Sequence, residues 1–186
     1  MSSRRKFIQT SAIALSASSL LPFSGAANTI QHKSMLKKEF LQTGMAGYSF
    51  VNYNIDQTIA IMNRTGINNI SVKDFHLPLN SSQQTIDEVM GKFKKGGIQV
   101  YTVGVIYMKT EAEVDRAFDY AKRVGVNLII GVPGYDLLTY TEKKVKEYNI
   151  RIAIHNHGPE DKLYPGPKDV YNRISGMDKR VGLCLD

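Results

Sequence analysis

Residues 98–132 read IQVYTVGVIYMKTEAEVDRAFDYAKRVGVNLIIGV, and the fold class can be inferred from their pattern. Its first part, Ile98–Tyr107, is a nearly continuous run of β-branched and aromatic residues, which is typical of a strand covered on both faces. Thr110 and Glu113 then have the spacing of a helix capping box. Val126–Val132 is a further apolar run. The stretch therefore predicts a strand, a helix and a second strand, which is the repeating unit of a parallel sheet.

The same alternation continues on both sides of this unit. Further strands are predicted over Gly44–Phe50, Asn69–Phe75, Ile150–Ile154 and Val181–Leu185. Further helices are predicted from the cap Asn54 to Gly66, from Thr85 to Gly96, over Tyr140–Tyr148 and over Lys168–Ile174. Strands and helices that alternate in this way imply right-handed βαβ units around a parallel sheet.

Two architectures fit six such strands: an open doubly wound sheet and the (β/α)8 TIM barrel. The first strand ends in Tyr48-Ser49-Phe50-Val51-Asn52, without the glycine fingerprint that binds a dinucleotide phosphate. This favours the barrel. A complete barrel takes about 250 residues, so the chain is expected to hold about six of the eight βα units and to be truncated at its carboxyl end.

The amino terminus has the order of a secretory signal, with basic, apolar and small residues in turn. Arg4 and Arg5, followed by Phe7, resemble a twin-arginine signal, which directs the export of folded proteins. The apolar stretch Ala12–Phe23 is too short and too polar to span a bilayer. We therefore expect a periplasmic protein without stable membrane insertion, composed of a signal peptide (1–27), a connector (28–39) and a partial barrel domain (40–186).

Composition and charge exclude several classes of protein. With 42% hydrophobic and 22% charged residues and one cysteine, the chain is not a disordered, collagen-like or disulfide-scaffold protein. The formal charge is +7, and removal of Arg4, Arg5 and Lys6 leaves 21 basic residues (24 − 3) against 17 acidic ones, or +4. The lysines fall mostly within helical patterns, which indicates solvated helix faces rather than a nucleic-acid partner.

Polar residues collect where the predicted strands end, which is the active-site edge of a barrel. The second strand leads into Lys73-Asp74-Phe75-His76, the fifth into His155-Asn156-His157-Gly158, and the sixth ends at Asp186. His155 and His157 are separated by one residue, so both rings point to the same side of an extended chain.

Two imidazoles on one side suit a divalent metal ion or a network of sugar hydroxyls, although core or surface histidines share this spacing about as often. Asp186 strengthens the functional interpretation, because a carboxylate that ends a buried strand needs a partner. The same holds for Asp74, for which a surface salt bridge with Lys73 is the alternative.

Two motifs resemble the xylose isomerase-like barrel superfamily, the sugar phosphate isomerase/epimerase family. They are Ile152-Ala153-Ile154-His155-Asn156-His157-Gly158-Pro159-Glu160 and Val181-Gly182-Leu183-Cys184-Leu185-Asp186. The resemblance covers about residues 40–186, and the segment Lys73–Pro78 also looks like the second-strand segment of exported members. Members of this superfamily include keto-sugar epimerases and inosose dehydratase.

The resemblance implies a divalent metal ion, either manganese, magnesium, cobalt or zinc, held by residues from the fifth to eighth strands. The carboxylate that ends the sixth strand maps onto Asp186. The fifth-strand glutamate of the epimerases maps onto His155, which departs from their two-glutamate mechanism. The seventh-strand histidine and eighth-strand glutamate have no counterparts in this sequence.

We therefore expect a metal-dependent sugar isomerase or epimerase that moves a proton next to a carbonyl of a sugar or keto-sugar. His155 and Asp186 are assigned as metal ligands, His155 and His157 as catalytic residues, and His76, Lys73 and His157 as substrate-binding residues. A keto-sugar lyase or dehydratase of the same fold, a non-catalytic sugar-binding relative and an inactive fragment are the alternatives. The sequence identifies neither the sugar, the metal nor the oligomeric state.

Overall fold

The computed structural model describes residues 42–185, which belong to one compact unit. The predicted signal peptide (1–27), the predicted connector (28–39) and Asp186 lie outside the described residues. Among the described helices, none is long and apolar enough to cross a membrane.

Six parallel strands form a single sheet in this part of the chain. They are β1 (Met45–Ala46), β2 (Asn69–Val72), β3 (Gln99–Met108), β4 (Leu128–Pro133), β5 (Arg151–His155) and β6 (Val181–Cys184). Each strand pairs with the next one along the chain, in the order β1-β2-β3-β4-β5-β6. A doubly wound sheet would reverse its order at a switch point, so this order confirms the barrel prediction.

Helices connect the strands and cover the sheet. They are α1 (Ile55–Thr65), α2 (Gln83–Lys95), α3 (Glu111–Val124), α4 (Leu138–Tyr148) and α5 (Pro167–Ile174). In α3 the predicted apolar stripe is confirmed as buried: Val114, Ala117, Phe118 and Ala121. Its packing against β3 and β4 removes apolar surface from water, which is the main favourable contribution to folding.

The residues predicted to begin and end the helices are confirmed for α1 and are partly wrong for α2 and α3. Asn54 and Gln57 form the predicted capping box, and Gly66 ends α1 in the left-handed conformation. Helix α2 is capped by Ser82, whose hydroxyl accepts from the Thr85 backbone N–H at 3.1 Å, so it begins before the predicted Thr85. The Thr110 hydroxyl accepts from the Glu113 N–H, but the Glu113 carboxylate accepts from the Lys109 N–H, four residues earlier.

The first two predicted strands are shorter in the structure by three residues or more. The first keeps only Met45–Ala46 and continues as a 3-10 turn, Gly47–Phe50, which buries the Phe50 ring. Gly47 is required there because a Cβ would clash with the carbonyl oxygen of Ser71 on β2. The second strand ends at Val72, because the Lys73 carbonyl then accepts hydrogen bonds from the backbone of a turn.

The prediction that the third strand is covered on both faces was wrong at three positions, Gln99, Tyr101 and Tyr107. Tyr101 and Tyr107 are 40% and 56% exposed. Val103, between them, is fully buried. The strand therefore presents two aromatic side chains to solvent, and the second of them lies at its carboxyl end.

Candidate active site

The candidate site lies where β3 and β5 end, on either side of β4. Tyr107 is the penultimate residue of β3, His155 ends β5, and His157 follows two residues later. Neighbouring strands lie about 4.8 Å apart, so β3 and β5 are separated by roughly 10 Å. A tyrosine on one strand and a histidine beyond the other span that distance and meet above β4.

Tyr107, His157 and Asp161 form a continuous hydrogen-bonded chain. The Tyr107 hydroxyl lies 2.8 Å from Nε2 of His157, and Nδ1 of His157 lies 2.6 Å from Oδ2 of Asp161. A carboxylate only accepts, so Nδ1 carries the proton, and in a neutral imidazole Nε2 is then the acceptor for the tyrosine O–H. The two rings are nearly parallel, with centroids 5.7 Å apart and an interplanar angle of 10°.

Asp161 is held in place by backbone donors of its own loop. Its Oδ1 accepts from the Leu163 N–H at 2.7 Å, and its own N–H donates to the Gly158 carbonyl at 3.0 Å. The Leu163 N–H, followed by the bonds from His157 and the Tyr164 backbone, lowers the pKa of the carboxyl, while burial opposes them. Asp161 is therefore ionised at neutral pH, as its role toward His157 requires.

Tyr164 fastens this loop to the end of β4. Its ring is fully buried, and its hydroxyl donates to the Pro133 carbonyl at 2.8 Å. Tyr135 packs edge-on against it at 5.1 Å between centroids, and the Arg173 guanidinium lies 3.3 Å above the Tyr135 ring. The backbone N–H of His157 also donates to the backbone carbonyl of Tyr164. These contacts fix the backbone from which His157 and Asp161 project.

His155 lies directly beside His157. Their ring centroids are 4.5 Å apart and their planes are almost perpendicular, at 89°. The structure therefore places the two rings on the same side, as their spacing predicted. His155 is also opposite Cys184 in the register of β5 and β6, so these two side chains share a face of the sheet.

His76 and Lys73 lie at the other end of the site edge. His76 is 7% exposed, and its Nε2 lies 3.1 Å from the Tyr53 carbonyl and 3.5 Å from the Thr58 hydroxyl. Burial lowers the pKa of His76, while backbone carbonyls, that of Tyr53 foremost, raise it. The structure thus ties His76 to the segment around the start of α1. Lys73 is half-buried, and its stem lies near Gly47.

The described residues do not by themselves make a metal centre. Within residues 42–185 there is no group of three or more His, Cys, Asp and Glu side chains that could hold a metal ion. Both ring nitrogens of His157 already have hydrogen-bond partners. Asp186, the second predicted ligand, lies outside the described residues. The assignment of a metal ion to His155 and Asp186 stays a prediction.

Sequence reasoning missed Tyr107 and Asp161. Tyr107 carried a usable signal, since it stands at the carboxyl end of a predicted strand, where barrel active sites collect. Asp161 carried a weaker one, four residues beyond His157 in a loop of no regular pattern. Their meeting depends on the pairing of β3, β4 and β5, which the local sequence does not encode.

The chain of three side chains is suited to moving a proton. Nε2 of His157 can take the phenolic proton while Asp161 stabilises the resulting imidazolium. Tyr107 is the member most open to solvent, so its oxygen is the atom that a bound molecule would meet. Asp161 acts through His157 and is a positioning residue.

Comparison with known proteins identifies the fold. No protein-family model and no curated protein matches the sequence. The solved structures that it resembles include an uncharacterised protein from Parabacteroides distasonis, at 23% identity and a TM-score of 0.65, covering 76% of this chain and 61% of that one.

Two others are xylose isomerase domain proteins. The one from Planctomyces limnophilus has 12% identity and a TM-score of 0.58, over 80% of this chain and 64% of that one. The one from Alicyclobacillus acidocaldarius has 12% identity and a TM-score of 0.58, over 76% and 62%. This chain therefore spans less than two thirds of each. The fold of the described residues is an incomplete TIM barrel with six strands present, and it is similar to the fold of these xylose isomerase domain proteins.

Proposed function

We propose that the protein is an enzyme of the sugar isomerase or epimerase type, which transfers a proton at the carbon next to a carbonyl. The observation that carries this proposal is the hydrogen-bonded chain from Asp161 through His157 to Tyr107 at the carboxyl ends of the strands. The solved relatives named as xylose isomerase domain proteins support a sugar as the substrate class.

In the proposed reaction Tyr107 removes the α-proton. Its phenolic oxygen takes the proton from carbon as its own proton passes to Nε2 of His157. The substrate becomes an enolate and His157 an imidazolium, so charge is conserved and Asp161 stabilises the new positive charge. Return of the proton by Tyr107 to the neighbouring carbon, after the enediol has shifted, gives isomerisation. Epimerisation requires that a second acid delivers a proton to the opposite face of the original carbon.

The predicted metal ion remains part of the proposal on the strength of the sequence alone. His155 and Asp186 are the residues assigned to hold it, and manganese, magnesium, cobalt and zinc are the candidate ions. His76 and Lys73 remain proposed substrate-binding residues. The Nε2 atom of His76 already contacts the Tyr53 carbonyl. The proposed contribution of His76 to substrate binding is therefore to position the segment near the start of α1.

A keto-sugar lyase or dehydratase is the alternative, because the same removal of an α-proton can be followed by loss of a β-substituent. A non-catalytic sugar-binding protein is the second alternative. The amino-terminal sequence supports export to the periplasm, where free rather than phosphorylated sugars are the expected substrates. Since this chain spans less than two thirds of its solved relatives, these statements concern the activity of the whole protein.

Exchange with solvent deuterium tests the proposal. Incubation of the full chain with free aldoses and ketoses in deuterated water should replace the hydrogen next to the carbonyl, as seen by proton NMR. An intact carbon skeleton would indicate an isomerase or epimerase, and an unsaturated product would indicate the lyase. Exchange that is equally fast with Tyr107→Phe, or no exchange with any sugar, would contradict the proposed role of Tyr107.

A further inference from the structure

Tyr107, His157 and Asp161 also have the arrangement of a nucleophile with its base, and we call them the Tyr107 triad. The Tyr107 hydroxyl lies 2.8 Å from Nε2 of His157, and Oδ2 of Asp161 lies 2.6 Å from Nδ1 of the same ring. A nucleophile, a base and a carboxylate that orients the base thus follow one another at hydrogen-bond distance. The same order activates the serine of many hydrolases. In this protein a phenol takes the place of that serine.

Tyr107 is open to a dissolved molecule, whereas the rest of the triad is more protected. Tyr107 is 56% exposed, and the side chains of His157 and Asp161 are 28% and 19% exposed. The hydroxyls of Tyr120 and Tyr164 also make hydrogen bonds, but both residues are almost completely buried. Tyr107 therefore combines a hydrogen-bonded hydroxyl with access from solvent.

The partner of the Tyr107 hydroxyl is a base. Tyr120 and Tyr164 donate to backbone carbonyl oxygens, which do not take up a proton at neutral pH. Tyr107 donates to an imidazole nitrogen, which can take it up. An ordinary phenol is almost entirely protonated at neutral pH and is a weak nucleophile. Transfer of its proton to His157 while a new bond forms removes that limit for Tyr107.

We propose that Tyr107 is a nucleophile that accepts acyl groups from aryl esters, and that the protein hydrolyses such esters through it. His157 is the base of this reaction, and Asp161 is a positioning residue. The activity goes beyond the proposed function, because it needs neither a sugar nor an enolate. The Tyr107 oxygen bonds to carbon here, whereas in the proposed function it takes a proton from carbon.

In the first half of the reaction the phenolic oxygen adds to the carbonyl carbon of the ester while its proton passes to Nε2 of His157. The imidazolium, stabilised by Asp161, gives this proton to the departing aryl oxygen as the ester C–O bond breaks. An acyl group then remains on Tyr107, and the aryl group leaves as a phenol.

In the second half a water molecule adds to the acyl group, and one of its protons passes to Nε2 of His157. The imidazolium returns that proton to the Tyr107 oxygen as the acyl–oxygen bond breaks, and a carboxylic acid is released. One ester and one water thus become one acid and one phenol, and the triad is restored.

The phenol of Tyr107 selects aryl over alkyl esters. A phenol is a far stronger acid than an alcohol, so the intermediate formed with an alkyl ester expels Tyr107 and returns to the starting ester. With an aryl ester the two departing groups are comparable, and the acyl group can pass to Tyr107. The acyl-tyrosine is itself an aryl ester, so water can hydrolyse it.

Labelling of the unchanged full chain tests the nucleophile without any substitution. The probe is p-nitrophenyl N,N-dimethylcarbamate, because a carbamoyl-tyrosine hydrolyses slowly and the label persists for mass spectrometry of peptides. Tyr171 on α5 is the matched tyrosine, since it is 59% exposed and does not belong to the triad. Tyr107 should be labelled at least about tenfold faster than Tyr171, because general-base catalysis contributes about 10²–10⁴. Equal labelling, or slower labelling of Tyr107, would overturn the proposal.

Two variants identify the base and its positioning residue. His157→Gln keeps a hydrogen-bond acceptor for the phenol but removes the base, so labelling of Tyr107 should fall to within about threefold of that of Tyr171. Asp161→Asn should slow labelling of Tyr107 by at least about tenfold. Labelling of Tyr107 that stays equally fast in His157→Gln would overturn the proposal.

Turnover is measured with p-nitrophenyl acetate and, as the alkyl ester, ethyl acetate. The unchanged chain should release several equivalents of p-nitrophenol and leave ethyl acetate intact. Tyr107→Phe should lose this turnover, and Tyr171→Phe should keep it. Turnover that persists in Tyr107→Phe would make His157 the nucleophile and overturn the proposal.

Labelling and deuterium exchange separate this proposal from the proposed function. Selective labelling of Tyr107 without exchange of any sugar supports the nucleophile and contradicts the sugar reaction. Exchange of a sugar without selective labelling supports the sugar reaction and overturns the nucleophile.

Discussion

The hydroxyl of Tyr107 lies 2.8 Å from Nε2 of His157, although fifty residues separate them in the sequence. The contact bridges the end of β4 and joins the loop after β5 to the end of β3. Because Asp161 occupies the other ring nitrogen, His157 presents a basic nitrogen to the phenol. The site chemistry follows from this orientation of one imidazole.

Loss of the Asp161 charge should disturb that orientation. In Asp161→Asn the imidazole is no longer held with its proton on Nδ1, so a substantial fraction of the other tautomer should appear in long-range ¹H–¹⁵N spectra. The rate of α-proton exchange should fall by roughly 10²–10⁴ with little change in KM. Asp169→Asn, a nearby exposed aspartate on α5, is the control and should change neither. A tautomer ratio that is identical in Asp161→Asn and the unchanged protein would contradict the assignment.

The burial of His76 should make stability depend on pH. Its folded-state pKa lies below the ordinary value of 6.5, so the fold binds this proton less well than the unfolded chain does. Its contribution to stability is fully present above pH 6.5 and is lost as pH falls through the lower folded-state value.

Thermal unfolding of the unchanged protein and of His76→Gln, measured from above pH 6.5 to well below it, tests the contribution of His76 to stability. Glutamine keeps a donor for the Tyr53 carbonyl but does not titrate, so the loss of Tm on acidification should be smaller in the variant. Parallel curves for the two proteins would show that His76 does not contribute.

Replacement of glycine by alanine should destabilise the fold at Gly104 and stabilise it at Gly91. Gly104 has φ +128° and faces the Ile130 carbonyl, so Gly104→Ala should destabilise the fold by at least about 1–3 kcal/mol. Gly91 lies in α2 with open space around it, so Gly91→Ala should stabilise by about 0.5–1 kcal/mol. Urea unfolding measures both. A Gly104→Ala protein as stable as Gly91→Ala would contradict the close packing of β3 against β4.

The predicted metal ion is tested by metal analysis of the full chain after incubation with Mn²⁺, Mg²⁺, Co²⁺ and Zn²⁺ and removal of excess ion. We expect one divalent ion to be retained, and His155→Ala combined with Asp186→Ala to lose it. Lys73→Ala is the control, because no metal role is assigned to it. Retention of the ion by the double variant, or no retention by the unchanged chain, would remove His155 and Asp186 as ligands.

The strand and helix alternation was readable from sequence because each element carries its own period. The apolar stripe of α3 and the capping box of Asn54 are local, and both were confirmed. The predicted ends of helices and strands were less accurate where a contact between distant parts of the chain ends the element. The first strand gives way after two residues to a 3-10 turn that begins at Gly47, where β2 lies so close that a Cβ would clash with the Ser71 carbonyl, and no residue before Gly47 signals that approach.

The local sequence was enough to predict the alternation of strands and helices and the closeness of His155 to His157, since both depend on residues near one another in the chain. Only the tertiary structure decided the partners of these residues. It joined His157 to Tyr107 and Asp161 and buried His76 against Tyr53. The physical reason is that parallel strands bring their carboxyl ends to one edge, whereas the side chains that meet there depend on register and loop packing.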